Sequence, residues 1–141
     1  MKYFKHGEVE ILIANNNVAY KHTHDFLELA FVLSGEAKHE MEGYKATIRS
    51  GDYFIVDYGA AHEYRQTGTE PLSVMNVLFL PEFIDKSLTY CRSFQALLKH
   101  YLIKINVPDS HNNPFGGVFT DSDGEIRTLL LSMKNEYDMK K

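Results

Sequence analysis

From Glu8 to Leu80 the chain consists of short runs that either alternate between apolar and polar residues or are largely apolar, separated by turn residues. Val9, Ile11 and Ile13 recur at every second position, and a period of two is typical of a strand. Extended runs bounded by turn residues predict further strands over 18–20, 28–33, 38–41, 44–49, 53–57, 62–66 and 72–80, of which 28–33 and 72–80 are largely apolar. Strands of this length, with turn signals about every ten residues, predict a mainly β sandwich or barrel.

The clearest hairpin joins 38–41 to 44–49 through Glu42 and Gly43. Glycine is the residue that most readily adopts the positive φ that a tight hairpin turn requires. His39 and Met41 share one face of this hairpin, and the pattern does not decide whether that face is inside. The strand over 28–33 is apolar on both faces, which predicts that the interior covers one face and a helix or partner subunit covers the other.

After Pro81 the apolar period lengthens to three or four residues, which predicts one or two helices between Glu82 and Lys104. Residues 106–117 are predicted to form a surface loop, and a capping box from Ser122 to Glu125 predicts where the next helix begins. We therefore expect a β barrel over 1–81 and a helical extension of the same domain over 82–141. The last helix carries a narrow apolar seam, which we expect either to pack on its own domain or to form a dimer contact. The seam consists of Ile126, Leu129, Leu130, Met133 and Tyr137.

Composition narrows the classes of function. The chain has 141 residues, 44% of them hydrophobic, and a formal net charge of −4. Such a balance predicts a single globular domain that does not bind nucleic acid by itself, because phosphate contacts need a basic surface. The single cysteine, Cys91, excludes an internal disulfide and suits a reducing compartment. There is neither an apolar run long enough to span a bilayer nor a signal-peptide core, so we expect a cytoplasmic protein without membrane contact.

The candidate chemistry lies in two segments. On an extended strand His22, His24 and Glu28 project from one face, and two imidazoles with a carboxylate can hold a divalent metal or a polar ligand. His62 and Tyr64 share a face on a later strand. A Glu inside an apolar barrel must be paired or protonated. No nucleophile elbow or glycine-rich phosphate loop is present in the sequence, so nothing indicates nucleophilic catalysis.

The spacing of these residues resembles two cupin motifs. His22, His24, Glu28 and Gly35 resemble the first motif, and the segment from Gly51 to His62 resembles the second. The resemblance implies a cupin-like double-stranded β-helix, or jelly-roll barrel, followed by C-terminal α-helices. It also implies that the metal-binding positions of the family fall on His22, His24, Glu28 and His62, where Zn²⁺, Ni²⁺, Fe²⁺ or Mn²⁺ would suit the donors. Asn16, Asp57 and Gln66 stand where the motifs usually have Gly, Pro and Asn.

A narrower resemblance covers nearly the whole chain. The runs over 26–35, 51–56, 59–64 and 76–81 are similar to the N-terminal sensing domain of AraC-type transcription regulators. This resemblance implies a regulator domain and not an enzyme. A small effector, a sugar or another small polar metabolite, would bind inside the barrel with no required cofactor. Its expected contacts are His22, His24, Glu28, His62 and Tyr64.

The regulator resemblance also implies a homodimer formed through the helices, and DNA contact only through a separate C-terminal domain. No such domain follows Lys141, so we expect either a piece of a longer regulator or a stand-alone sensing domain. One alternative is a small metal-dependent cupin enzyme, a dioxygenase or isomerase, that uses the same four residues as ligands. Another is a binding module without a regulatory partner.

Overall fold

The computed structural model describes residues 9–15, 18–22, 26–56, 60–80 and 118–139, with 18–22 described by their backbone. Nine β-strands and one α-helix lie within these ranges. The elements are β1 Val9–Ala14, β2 Val18–His22, β3 Leu27–Ser34, β4 Glu36–Met41, β5 Tyr44–Arg49, β6 Asp52–Val56, β7 His62–Gln66, β8 Ser73–Phe79, β9 Val118–Thr120 and α1 Glu125–Met139.

The strands form two antiparallel sheets. One has the order β1-β8-β3-β6-β9 and the other the order β2-β7-β4-β5. Apolar side chains from both sheets make a common buried core, for example Val32 and Phe54 from the first sheet and Ile48 from the second. Non-consecutive strands are neighbours in both sheets, as in a jelly roll. The predicted fold class, mainly β with a jelly-roll barrel followed by C-terminal α-helices, is confirmed, with α1 as the C-terminal helix that the structure describes.

The β4–β5 hairpin turns at Glu42 and Gly43, as predicted. Both residues have positive φ, 48° and 85°. The backbone N–H of Glu42 donates to the carbonyl of Ala61 at 3.0 Å, and the Glu42 carboxylate accepts from the backbone N–H of Ala61 at 2.8 Å. The turn therefore holds the start of β7 beside the hairpin.

Strand β3 is covered on both faces, as its sequence predicts. Ala30 and Val32 point into the core between the sheets. Phe31, with Leu29 and Leu33 at its sides, belongs to a second apolar cluster that includes Leu130 and Tyr137 of α1. One strand thus contributes to the interior of the barrel on one face and to the helix contact on the other.

Helix α1 begins at Glu125 but is not capped as predicted. Asp121 accepts from the backbone N–H groups of Ile126 at 3.1 Å and Arg127 at 2.9 Å. The capping box from Ser122 is wrong, because the residue before the helix is Gly124, which has no side chain, and the Asp121 carboxylate takes its place. A helix with the length and apolar character needed to cross a membrane does not occur in the described part of the chain.

Strand β9 was missed in the sequence pattern. Its residues pair with β6, and the Thr120 hydroxyl donates to the buried Asp52 carboxylate at 2.9 Å. The segment assigned to the helical extension therefore also adds a strand to the first sheet. The helices predicted between Glu82 and Lys104, the loop over 106–117 and the boundary after residue 81 lie outside the described residues.

Candidate ligand-binding site

Three ionisable side chains are buried together inside the barrel. Glu28 comes from β3 of the first sheet, and His39 and His62 come from β4 and β7 of the second. We call these three residues the interior polar cluster. Asp52 is buried as well, but it is the first residue of β6 and accepts from the backbone N–H of Arg49 at 2.8 Å, in the turn that leads into that strand. Among the described residues, Glu28, His39 and His62 are therefore the buried polar side chains that meet between the two sheets.

Strand register explains why His39 joins the cluster. In the β4–β7 pair His39 lies opposite Tyr64 and Met41 lies opposite His62. Residues directly opposite each other project from the same face of a sheet. Because Tyr64 and His62 are buried toward the core, His39 and Met41 also point inward. The sequence could not decide this, since it does not show which strand pairs with β4.

His62 lies between the other two members of the cluster. Its Nδ1 is 3.3 Å from Nε2 of His39, a hydrogen-bond distance. Its Nε2 is 3.7 Å from the Glu28 carboxylate. The His39 ring packs on Phe54 with centroids 4.2 Å apart and planes inclined by 32°. The cluster is thus a linear arrangement of Glu28, His62 and His39 that ends on an aromatic ring.

Burial changes the protonation of the cluster. It raises the pKa of Glu28 from 4.5 to about 7 and lowers the pKa of His39 from 6.5 to about 4. The pKa of the Tyr64 hydroxyl is raised by burial and then by the charge of Glu28. Near neutral pH His39 is uncharged and Glu28 is divided between the acid and the carboxylate. Glu28 and His39 therefore offer hydrogen-bonding groups inside the barrel, and His39 adds no positive charge there.

The structure brings together three of the five residues predicted to bind the effector. Glu28 and His62 lie in the cluster, and Tyr64 is buried within electrostatic reach of Glu28. His22 lies directly opposite His62 in the β2–β7 register, and the structure describes it by its backbone. His24 lies outside the described residues, as do Asp57 and Gly59 of the second motif.

The described donors do not make a metal site by themselves. Within the described ranges no three or more His, Cys, Asp or Glu residues are grouped to hold a metal ion. Glu28 and His62 do place a carboxylate oxygen and an imidazole nitrogen near each other, and both donor types suit transition metals. Two of the four motif donors are therefore adjacent, and a complete site would also need His22 and His24.

The apolar seam predicted on α1 is divided by its packing. Leu130 and Tyr137 are buried against the first sheet, and Ile126 packs against the same cluster. Leu129 is 57% exposed and Met133 is 36% exposed. Ile126, Leu130 and Tyr137 thus stabilise their own domain. Leu129 and Met133 present an apolar surface to solvent.

Comparison with known proteins gives one matching family and a set of regulators. The family described as "Cupin domain" matches residues 9–78, from β1 to β8. The HTH-type transcriptional activator RhaR of Enterobacter sp. (strain 638) is 23% identical over 123 residues, which cover 85% of this chain and 38% of the relative. RhaR of Escherichia coli (strain K12) is 26% identical over 91 residues, covering 62% of this chain and 32% of the relative. The chain spans about two fifths or less of the length of these relatives.

A solved structure agrees on the fold. The BH2720 protein of Bacillus halodurans superposes with a TM-score of 0.50 at 14% identity, over 52% of this chain and 64% of that one. At this identity the likeness concerns the fold alone. The family match and the regulator relatives together confirm the resemblance predicted from the sequence.

Proposed function

Residues 9–78 form a cupin domain, and we propose that this domain senses a small-molecule effector for an AraC-type transcription regulator. The interior polar cluster carries the proposal. Burying three ionisable side chains in an apolar core costs stability, and buried groups with shifted pKa values are concentrated at functional sites. The similarity to transcriptional activators supports a regulatory role over catalysis. In this proposal the chain is a cytoplasmic, non-catalytic domain.

The chemistry of the cluster favours a neutral effector that carries hydroxyl groups, such as a sugar. Carboxyl, imidazole and phenol groups donate and accept hydrogen bonds. The buried polar residues that the structure describes include no Lys or Arg. An anionic effector would lie beside Glu28 without a permanent positive charge to offset the repulsion. Small acids should therefore bind less well than sugars.

A route from the cluster to the helix supports a role in signalling. Glu28 points inward from β3, while Phe31 of the same strand contacts α1 on the opposite face. An effector that moves Glu28 acts on the strand on which α1 rests. In the proposed mechanism this shift changes the arrangement of a homodimer, and with it the DNA-binding domains attached to each copy.

Ligand-dependent stability tests the proposal. A ligand that binds only the folded state at 100 times its Kd stabilises it by about 2.7 kcal/mol, so a panel of neutral sugars and small acids can be screened by thermal unfolding. We expect at least one sugar to raise the unfolding temperature, and Glu28→Gln to abolish the rise. Glu63→Gln is the matched control. Glu63 lies between the buried residues His62 and Tyr64 in β7, so its side chain is on the outer face of the strand. Stabilisation by acids alone would contradict the ligand class, and no stabilisation by any compound would contradict the sensing role.

The nearness of Glu28 and His62, with His22 in register, also favours a second candidate, a metal-dependent cupin dioxygenase or isomerase. His22, His24, Glu28 and His62 would hold the ion, which would act as a Lewis acid. Elemental analysis of protein purified without a tag or chelator separates the two candidates. Close to one equivalent of transition metal, lost in His24→Ala, would favour the enzyme. Far less than one equivalent would favour the metal-free sensor.

A further inference from the structure

His39 belongs to neither motif that predicted the site, yet it contacts the centre of the cluster. Its Nε2 lies 3.3 Å from Nδ1 of His62, and both rings are buried. Phe54 packs on the His39 ring, which limits the orientations that the imidazole can adopt. His39 therefore meets His62 from a fixed direction, on the side of the ring away from Glu28.

A hydrogen bond between two ring nitrogens links the tautomers of both rings. A neutral imidazole has one N–H and one lone pair, and the bond needs a proton on one of the two facing nitrogens. When Nε2 of His39 donates, Nδ1 of His62 accepts and the proton of His62 is on Nε2. When Nδ1 of His62 donates, its Nε2 carries the lone pair. Each state of His39 thus fixes the complementary state of His62.

We propose that His39 is a positioning residue, which holds His62 through Nδ1 and fixes the tautomer that His62 presents at Nε2, beside Glu28. The tautomer decides whether Nε2 donates or accepts a hydrogen bond. In the proposed function Nε2 of His62 is the atom that meets the effector, and this part of the proposal rests on that function. The link between His39 and His62 is a property of the chain with no ligand bound. In metal sites, a hydrogen bond to the second ring nitrogen orients a ligating histidine and fixes its tautomer by the same principle.

Nitrogen NMR of protein labelled with ¹⁵N-histidine tests the link. Ring-nitrogen shifts distinguish a nitrogen that carries a proton from one that does not, and averaging between tautomers gives intermediate shifts. The His39 signals are those lost in His39→Leu and His39→Gln, and the His62 signals are those lost in His62→Phe. We expect one tautomer for each ring in the wild-type protein, with a proton on only one of the two facing nitrogens.

The two His39 variants separate positioning from packing. His39→Leu fills the space without a hydrogen bond, so we expect the His62 nitrogen shifts to move to those of the other tautomer or to averaged values. His39→Gln can donate or accept, so it should keep His62 in one tautomer. Averaged rings in the wild-type protein, or unchanged His62 shifts in His39→Leu, would overturn the proposal. If His39→Leu does not fold, His39→Met, which also fills the space without a hydrogen bond to His62, takes its place in the same comparison.

The experiment needs no effector and no metal. A sugar screen without a hit would contradict the sensing role and leave these spectra as they are. Averaged imidazole signals would contradict the role of His39 while leaving a positive sugar screen intact. The two failures can therefore be distinguished.

Discussion

The guanidinium group of Arg127 lies over the ring of Phe31, with its central carbon 5.4 Å from the ring centroid. Nη2 of the same side chain donates to the Leu33 carbonyl at 3.1 Å and to the Ser50 hydroxyl at 3.0 Å. The Ser50 hydroxyl in turn donates to the Leu33 carbonyl at 2.9 Å. One side chain thus joins the first turn of α1 to the end of β3 and to the turn before β6.

Arg127→Met should destabilise the protein by about 1–3 kcal/mol, because it keeps the aliphatic contact but removes the charged hydrogen bonds and the cation–π contact. Urea unfolding measures the loss. The stability of Arg127→Lys should fall between those of the wild-type protein and Arg127→Met, because a lysine ammonium group cannot reproduce the planar, forked hydrogen bonding of the guanidinium group. Lys134→Met is the control, because Lys134 is half-buried like Arg127 but pairs with Asp138 within the same helix. Its loss should cost less than about 1 kcal/mol. Equal losses in Arg127→Met and Lys134→Met would contradict the anchoring role of Arg127.

Two glycines with the same backbone conformation should respond differently to alanine. Gly35 and Gly43 have φ of 86° and 85°. A Cβ on Gly35 would lie 2.8 Å from the Leu72 Cα and 2.9 Å from the Pro71 carbonyl oxygen, whereas one on Gly43 would meet nothing within 4 Å. Gly43→Ala should cost about 1 kcal/mol from the positive φ, and Gly35→Ala roughly 2–4 kcal/mol because backbone atoms must also move. Equal costs in chemical unfolding would show that the contact with Leu72 relaxes easily.

Local patterns predicted most of the fold. Alternation or short apolar runs identified β1 to β8. The turn at Gly43 and the two apolar faces of β3 were also predicted, because each depends on neighbouring residues in the sequence. Strand β9 was missed because its three residues are too few to show a period. The helix cap was misassigned because Ser122 satisfies the local pattern, while the Asp121 carboxylate reaches the backbone N–H groups from farther back in the chain.

The site was predicted less completely than the fold, for a physical reason. Motif spacing identified Glu28 and His62, and the structure places the Glu28 carboxylate 3.7 Å from Nε2 of His62. His39 shares a face with Met41, but that face turns inward only because β4 pairs with β7. Pairing between strands distant in sequence is a tertiary property that no local spacing encodes. Knowledge of the β4–β7 pairing would have identified His39 as an inward-facing residue.

The effect of Glu28 on stability should depend on pH in a known direction. Its pKa rises from 4.5 to about 7 on folding, so between these values the folded state binds more protons than the unfolded state. Stability from this group is complete below pH 4.5 and is lost as the pH rises to 7, by about 3 kcal/mol. Glu28→Gln has no such loss. Relative to the wild-type protein, the variant should therefore gain about 3 kcal/mol between pH 4 and pH 8.

His39 makes this difference measurement necessary. Its pKa falls from 6.5 to about 4 on folding, so its contribution is lost as the pH decreases through that window, opposite to the trend of Glu28. The two trends offset each other in the wild-type protein. Urea unfolding of both proteins across the range isolates Glu28. Parallel curves for the variant and the wild-type protein would mean that Glu28 titrates normally in the folded state.

Neighbouring leucines of α1 should separate assembly from folding. We propose that the chain pairs with a second copy through the exposed residues Leu129 and Met133. Leu129→Asp should then leave the domain folded and convert dimers to monomers in light scattering after size exclusion, because the leucine is 57% exposed. Leu130→Asp should unfold the domain, because Leu130 is 5% exposed and packs against the first sheet, where an unpaired charge costs several kcal/mol. Asn135→Asp places the same charge on an exposed position of the same helix and should change neither property. A dimer that persists in Leu129→Asp would place the interface elsewhere. If Leu130→Asp instead gave a folded monomer, Leu130 could not be part of the core of its own domain. The dimer interface would then include the whole seam, as the sequence pattern allows.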